Sequence, residues 1–204
     1  MVRRPMRKGN YSQQQPAGDE PSLRDADSRL MRRLSLVGLA LLVFFAAQPA
    51  NAEITVADLQ IAARALSFME RPLGGTVRVG IIYIPGDAAS EREADAVVQL
   101  LGGGLNAGNL LVTPVRVAPD AAGTAPVDLF FLPGGLRDRT GPVSAAAAKR
   151  KLVCLTVDIA QVEKGSCAVG VQSTPKVRIY VNRAAAIASK SSFVTVFLMM
   201  VSEL

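Results

Sequence analysis

Apolar residues recur at helical spacing in two segments of the chain, each with its own start and stop signals. The first segment follows Thr55, a helix-capping residue type, and ends before Arg71-Pro72. The second follows Ser90-Glu91-Arg92-Glu93, which has the form of a capping box, and ends at Gly102. The pattern therefore predicts two amphipathic helices. Their apolar stripes are Val56, Leu59, Ala63 and Leu66 in the first, and Ala94, Val97, Val98 and Leu101 in the second.

Short continuous apolar runs between turn residues are typical of strands that are buried on both faces. Such runs occupy residues 77–84, 111–117, 127–132 and 152–157, and a short helix is predicted through 145–148. Residues 177–181 alternate apolar and polar, as in a strand with one wet face. The last apolar residues, 193–201, return to helical spacing. Because strands and helices alternate, we predict one α/β domain with a mostly parallel sheet and helices on its faces.

The N-terminal region has a different pattern, in which Met31-Arg32-Arg33 precedes an apolar run over 36–47 and Ala50-Asn51-Ala52 follows it. A charged start, an apolar centre and small residues before the cut predict a signal peptide over 31–52, cleaved after Ala52. Residues 1–30 are then predicted to be a disordered leader, or the start codon has been placed too far upstream. Residues 53–204 are predicted to form the periplasmic domain. A retained membrane anchor and a twin-arginine export route remain alternatives. We expect the exported chain to be peripheral to the membrane at most.

Charge and composition limit the partners and reactions that we expect of this chain. The full chain has a net charge of +6, but residues 1–52 contain eight basic and four acidic residues, so the remaining domain has +2. This charge gives no case for nucleic-acid binding. The chain has no His, which removes the commonest general base and most zinc or copper sites. No motif spacing links the carboxylates, so we expect no enzyme, metal or cofactor. These carboxylates are Asp87, Asp128, Asp138, Asp158 and Glu163.

The two cysteines of the chain, Cys154 and Cys167, both lie in the predicted exported domain. An even number of cysteines in an exported protein favours a disulfide. The alternative is that Cys154, which lies in an apolar run, is a small buried hydrophobic residue. The spacing is not Cys-x-x-Cys, so a catalytic redox role is the weaker hypothesis.

Small and acidic residues follow several predicted strands. In open parallel sheets, ligands bind beyond the carboxyl ends of the strands. Residues at such ends are therefore candidates for ligand or partner contact, and a plain turn role is the alternative. The candidates are Gly86, Asp87, Gly134, Gly135 and Asp158. The glycines at 102–104 follow a helix instead of a strand, so they predict a flexible turn.

The C-terminal third resembles the YfiR-like family of small periplasmic proteins. The resemblance rests on the apolar run at 152–157, a Cys-bearing loop, the segment 177–186 from Val to Ala, and a closing apolar helix. Asn182 with Ala184 and Ala185 is the sharpest element of this segment. The aromatic-acidic-Pro segment at 68–72 and the strand that follows it are also similar. The chain departs from the family in having no Trp, and residues 102–148 match no family motif.

The resemblance implies a non-enzymatic periplasmic α/β protein that restrains an inner-membrane diguanylate cyclase or sensor by contacting its periplasmic part. It also implies redox control through disulfides, and Cys154 and Cys167 are similar in placement to one family pair. Characterised members of the family are dimers. The apolar C-terminal segment of this chain leaves two interpretations open: it packs in the core, or it is a helix whose Phe193, Phe197 and Met200 pack on a second subunit. The alternative function is a small-solute-binding periplasmic module.

Overall fold

The structure is a computed structural model that describes residues 54–136 and 139–204. The predicted leader, the predicted signal peptide and Asp138 lie outside the described residues. The helices are α1 (Val56–Ala65), α2 (Ala88–Leu101), α3 (Gly141–Arg150), α4 (Ile159–Glu163), α5 (Arg183–Ala188) and α6 (Thr195–Leu198). Short 3-10 turns occupy Leu66–Phe68, Pro119–Gly123 and Gly134–Leu136.

Eight strands of the described part form a mixed sheet in the order β2-β3-β1-β4-β5-β6-β7-β8. Five neighbouring strands, from β3 to β6 in that order, run parallel, and the antiparallel pairs are β2 with β3 and β6 with β7. The strands are β1 (Gly75–Ile82), β2 (Leu105–Ala107), β3 (Leu110–Val117), β4 (Leu129–Leu132), β5 (Cys154–Thr156), β6 (Val169–Gln172), β7 (Arg178–Val181) and β8 (Ser202–Glu203). The predicted α/β class and the mostly parallel sheet are confirmed.

The central strands β4 and β5 are buried on both faces, as expected for parallel strands that are covered by crossover helices. Neighbouring side chains of β4 show this, because Phe130 and Phe131 point to opposite faces and both are fully buried. Phe131 packs in an apolar cluster with Leu59 of α1 and Val97 of α2. Phe130 packs in a second cluster with Val143 of α3. The chain is therefore a three-layer domain, in which helices cover each face of the central strands.

The start of α2 differs from the prediction. The N-cap is Asp87, whose carboxylate accepts hydrogen bonds from the backbone N–H groups of Ala89 and Ser90. The Ser90 hydroxyl is buried instead and accepts a hydrogen bond from the Ile84 N–H at 2.9 Å. The predicted capping box at Ser90 to Glu93 is wrong, because an acidic residue three positions earlier satisfies the helix start. The predicted cap at Thr55 is confirmed, with Asp58 completing a capping box there.

The C-terminal segment also differs from the prediction. A helix was expected over 193–201, but α6 has only one turn and the chain then forms the edge strand β8 beside β7. The β-branched residues in this segment disfavour a longer helix. The three-residue strand β2 was not predicted, and it follows the glycine turn at 102–104.

Candidate functional site

The predicted contact residues lie at the carboxyl ends of three neighbouring strands. Gly86 and Asp87 follow β1, Gly134 and Gly135 follow β4, and Asp158 follows β5. In the sheet, β3 pairs with one side of β1 and β4 pairs with the other side. The direction in which the chain adds strands to the sheet therefore reverses between β1 and β4. Ligand sites of doubly wound sheets form at such a switch point. The topology therefore brings the sequence-predicted residues to the edge of the sheet where a site is expected.

Most of these residues also have a role in the fold. Asp158 caps α4 and accepts a hydrogen bond from the Ala160 N–H at 3.0 Å, as Asp87 caps α2. Gly86 has φ +79°, a conformation that favours glycine, and donates its N–H to Glu91. The turn and capping roles left open by the sequence are thus present, and they do not by themselves define a ligand site.

Three side chains hold the turn that follows β4. The Gly135 N–H donates to the Glu93 carboxylate at 2.6 Å, and the Thr156 hydroxyl donates to the Leu132 carbonyl at 2.8 Å. The Gln161 amide donates to the Pro133 carbonyl at 3.1 Å. A Cβ at Gly135 would lie 2.8 Å from a Glu93 carboxylate oxygen, so glycine permits this close approach. The turn is therefore tied to α2, β5 and α4.

Sequence reasoning missed all three of these side chains. Glu93 was assigned to a capping box, and Thr156 and Gln161 carry no motif. The Glu93 carboxylate and Gly135 are 42 residues apart in the chain. Only knowledge of the strand order could have placed them together, because no local pattern marks a contact at that separation.

Gln161 contains an unsatisfied polar atom. The residue is 3% exposed, and its Oε1 is buried with no hydrogen-bond partner in the described part of the chain. The other amide atom, Nε2, faces two acceptors, the Pro133 carbonyl and the Asp158 carboxylate, the latter at 3.4 Å. Because both neighbours accept, the amide orientation follows from the hydrogen-bond network. Oε1 therefore remains an acceptor without a donor.

Cys154 and Cys167 form the predicted disulfide, with their Cα atoms 4.7 Å apart. Cys154 lies on β5, and Cys167 lies two residues before the neighbouring strand β6. Both residues are buried, and the Ala168 N–H donates to the Cys154 carbonyl at 3.1 Å. The bond therefore closes the β5-α4-β6 unit, which also contains Asp158 and Gln161.

The residues of the family resemblance have defined places. Asn182 caps α5: its side chain accepts a hydrogen bond from the Ala185 N–H at 2.9 Å and donates to the Val162 carbonyl at 2.8 Å. Ala184 is exposed and Ala185 is half-buried. Asn182 thus links α5 to α4, which explains why an amide is suited to this position: it provides both a donor and an acceptor.

The apolar C-terminal segment is divided between core and surface. Phe193 and Phe197 are buried, and Phe197 stacks on Phe68 with ring centroids 4.8 Å apart. Val196 is 61% exposed, Met199 80% and Met200 65%. These three residues are spaced three and four positions apart, so they share one side of the helical turn. We call them the α6 surface. The alternative that the two phenylalanines pack in the core is correct, while Met200 is exposed.

The Asp58 carboxylate, on α1, is held by hydrogen bonds within the fold. Asp58 accepts hydrogen bonds from Thr55 and from the Ser173 N–H at 2.9 Å, which ties α1 to the segment after β6. Burial raises the pKa of Asp58, but the hydrogen bonds from Thr55 and Ser173 outweigh burial and hold the pKa below its ordinary value. The buried carboxylate is therefore a structural anchor.

Over residues 54–136 and 139–204, no group of three or more His, Cys, Asp or Glu side chains is placed to hold a metal ion. The same ranges contain no helix with the length and apolar character needed to cross a membrane.

Comparison with known proteins gives a likeness in fold. No protein-family model and no curated protein sequence matches the chain. Among solved structures, the chain is similar to the ligand-free, open structure of CD0873, a substrate binding protein with adhesive properties from Clostridium difficile. The TM-score is 0.51 at 14% identity, and the match covers 74% of this chain. The chain spans 60% of the length of that structure. At this identity the likeness supports the fold, a doubly wound α/β domain.

Proposed function

We propose that the chain is an exported, non-enzymatic regulatory protein of the periplasm, which restrains a membrane-bound diguanylate cyclase or sensor by contacting its periplasmic part. The sequence resemblance to YfiR-like proteins suggests this class of partner. The buried disulfide is in keeping with an oxidising compartment. The observation that carries the proposal is the α6 surface, where Val196, Met199 and Met200 are exposed together.

An exposed apolar cluster on an anchored element supports a protein contact. Single exposed apolar residues are common on protein surfaces, but contiguous ones mark interaction sites. Phe193 and Phe197 of the same segment are buried in the core and contact each other. They anchor the segment that exposes the α6 surface. Methionine side chains are unbranched and polarizable, which suits them to apolar contacts with an adaptable partner.

A regulator of this kind needs no reactive group. It shifts the equilibrium of a sensor only if it binds one conformation more tightly than the other. The lack of His and the absence of a catalytic motif are compatible with such a role. Binding to the restrained state tenfold more tightly than to the active state would change their ratio tenfold.

A matched pair of substitutions tests the proposal. Val196 and Val177 are both 61% exposed, but only Val196 belongs to the α6 surface. The tagged protein and the two variants Val196→Lys and Val177→Lys are used to capture partners from the crosslinked envelope fraction, and captured proteins are identified by mass spectrometry. We expect recovery of a membrane cyclase or sensor with the parent chain and with Val177→Lys, and at least a tenfold loss with Val196→Lys, because a buried ammonium group is costly.

Two outcomes would contradict the proposal. Recovery of a transporter alone, or of no membrane protein, would remove its support. Equal capture of the cyclase or sensor by both variants would place the contact elsewhere. Repeating the capture with reductant tests the redox control that the family resemblance implies, since loss of the partner would place the disulfide in the switch.

The α6 surface also provides a test of the homodimer that the family resemblance implies. Light scattering coupled to size exclusion would give the mass of the parent chain and of Val196→Lys. A dimer that dissociates only in Val196→Lys would assign the surface to a second copy, and a cyclase would then have to contact another face.

A small-solute-binding module is the second candidate function. It is favoured by the likeness to a substrate binding protein and by the switch point between β1 and β4. Such proteins normally close two lobes around a ligand, whereas this domain provides one sheet. A thermal-shift screen with a solute panel tests this candidate: stabilisation by any solute supports it, and no shift supports the protein-binding regulator.

A further inference from the structure

We infer that the carboxyl edge of β4 and β5 contains a binding site for a small organic cation with N–H donors, such as a primary ammonium or guanidinium compound. The site consists of Gln161 Oε1 with the carboxylates of Glu93 and Asp158, beside Gly134. This inference is independent of the protein contact proposed at the α6 surface, which lies on other elements.

The first argument is the unsatisfied acceptor. Gln161 Oε1 is buried and has no donor within the described residues. A buried acceptor without a hydrogen bond costs about 1–3 kcal/mol, so native proteins seldom retain one without a reason. The Nε2 end of the amide has a structural role, since it donates to the Pro133 carbonyl at 3.1 Å, but this role gives Oε1 no donor. A ligand that donates to Oε1 would remove the cost.

The second argument is charge. The Asp158 carboxylate lies 3.4 Å from the same amide group, and Glu93 reaches the other end of the Pro133–Gly135 turn. Neither carboxylate forms an ion pair with a cation in the part of the chain that the structure describes. Two carboxylates and an amide oxygen all accept hydrogen bonds, so they suit a ligand that only donates, and they repel anions.

The third argument is space. A Cβ built at Gly134 would meet no atom within 4 Å, so the surface beside the turn is open there. Gly134 has a backbone conformation that other residues adopt without strain, because its φ is not positive. The chain could therefore bear a side chain at this position. Its absence leaves room for a ligand next to Pro133.

The experiment uses the full chain labelled with 15N. Methylammonium, 1,4-diaminobutane and L-arginine are titrated, and tetramethylammonium provides a cation that has no N–H donor. Acetate and Ca²⁺ serve as anion and metal controls. The signals followed are the Gln161 side-chain amide and the Gly135 backbone amide. We expect saturable shifts at these two signals with a dissociation constant below about 1 mM for at least one N–H donor, and none with tetramethylammonium.

Variants assign the binding to the named groups. Gln161→Leu should weaken binding at least about tenfold, because a site built around a buried acceptor then loses it. Glu93→Gln keeps an acceptor for the Gly135 N–H but removes the charge, and should weaken binding about fivefold. Gly134→Val should block the space. The controls are Glu163→Gln, an exposed carboxylate of α4, and Gly123→Val, another open glycine in a 3-10 turn.

Several results would overturn the inference. No shift up to about 10 mM of any donor would leave Gln161 Oε1 to a buried water molecule. Equal binding of tetramethylammonium would show a nonspecific charge effect, and binding of Ca²⁺ alone would make the site one for metal. If Gln161→Leu fails to fold, Glu93→Gln and Gly134→Val still test the site. Unchanged cation binding in both variants would exclude it. Partner capture through the α6 surface is measured separately, so failure of one proposal leaves the other standing.

Discussion

Removal of the Cys154–Cys167 disulfide should destabilise the domain through its unfolded state. The cysteines are 13 residues apart, and closing a loop of this size is worth about 3 kcal/mol in the chain-entropy model. The bond joins β5 to Cys167, which lies two residues before β6. Because β5 and β6 already pair, loss of the bond leaves the native hydrogen bonds in place. Both sulfur atoms are buried, and their removal adds about 1 kcal/mol of lost packing.

The double variant Cys154→Ala/Cys167→Ala should therefore lose about 3–4 kcal/mol of unfolding free energy. With an m-value of about 2 kcal/mol/M, the urea midpoint should fall by about 1.5–2 M. Urea unfolding followed by circular dichroism measures this shift. The parent chain unfolded with reductant is the control and should reach a similar midpoint, because unfolding exposes the bond.

A midpoint shift below about 0.5 M would refute this reasoning, since it would show that the bond does not constrain the unfolded chain. The role of the disulfide in the proposed regulator is tested by Cys154→Ser. This substitution also places a hydroxyl in the apolar cluster around Phe130. The role of the disulfide in the proposed regulator fails if Cys154→Ser changes neither stability nor partner capture.

Two further substitutions test how the fold supports these surfaces. Asp58→Asn should lower the free energy of unfolding by about 2 kcal/mol near neutral pH, because an amide N–H₂ cannot accept the hydrogen bonds from Thr55. Because the folded-state pKa of Asp58 is depressed, the contribution of this carboxylate to stability is present above the unfolded pKa near 4 and is lost as pH falls through the lower folded pKa. Urea unfolding from pH 7 to pH 3 should therefore show the stabilities of the parent chain and of Asp58→Asn converging. Gly170→Ala should cost about 2 kcal/mol by thermal or urea unfolding, because its Cβ would lie 2.5 Å from a Val162 methyl carbon and push β6 from α4.

The matched controls for these two substitutions are Asp120→Asn and Gly123→Ala. Asp120 is exposed and accepts a hydrogen bond from the neighbouring Ala121 N–H, so its substitution should change stability little. A Cβ at Gly123 meets nothing within 4 Å. If Asp58→Asn matches Asp120→Asn at every pH, the depressed pKa of Asp58 is not linked to folding. If Gly170→Ala matches Gly123→Ala, the contact between β6 and α4 can relax.

The sequence by itself determined the features that depend on near neighbours. Helix and strand periods, the Thr55 cap and the stop at Gly102 each depend on a few consecutive residues. They predicted the α/β class and four of the five parallel strands, but not β6 at Val169–Gln172. With only two cysteines in the chain, one intramolecular pairing was available to predict. The candidate residues at strand ends followed from a general rule for parallel sheets.

Only the tertiary structure decided which distant groups meet. Local signals placed the start of α2 at Ser90, but the fold buries that hydroxyl against Ile84 and uses Asp87 as the cap. Glu93 reaches Gly135 because β1 and β4 are neighbours, and this order is set by packing of the whole sheet. The division of the C-terminal segment into buried Phe197 and exposed Met199 likewise depends on where Phe68 lies. Local preferences act over a few residues, whereas these contacts depend on burial of the complete core.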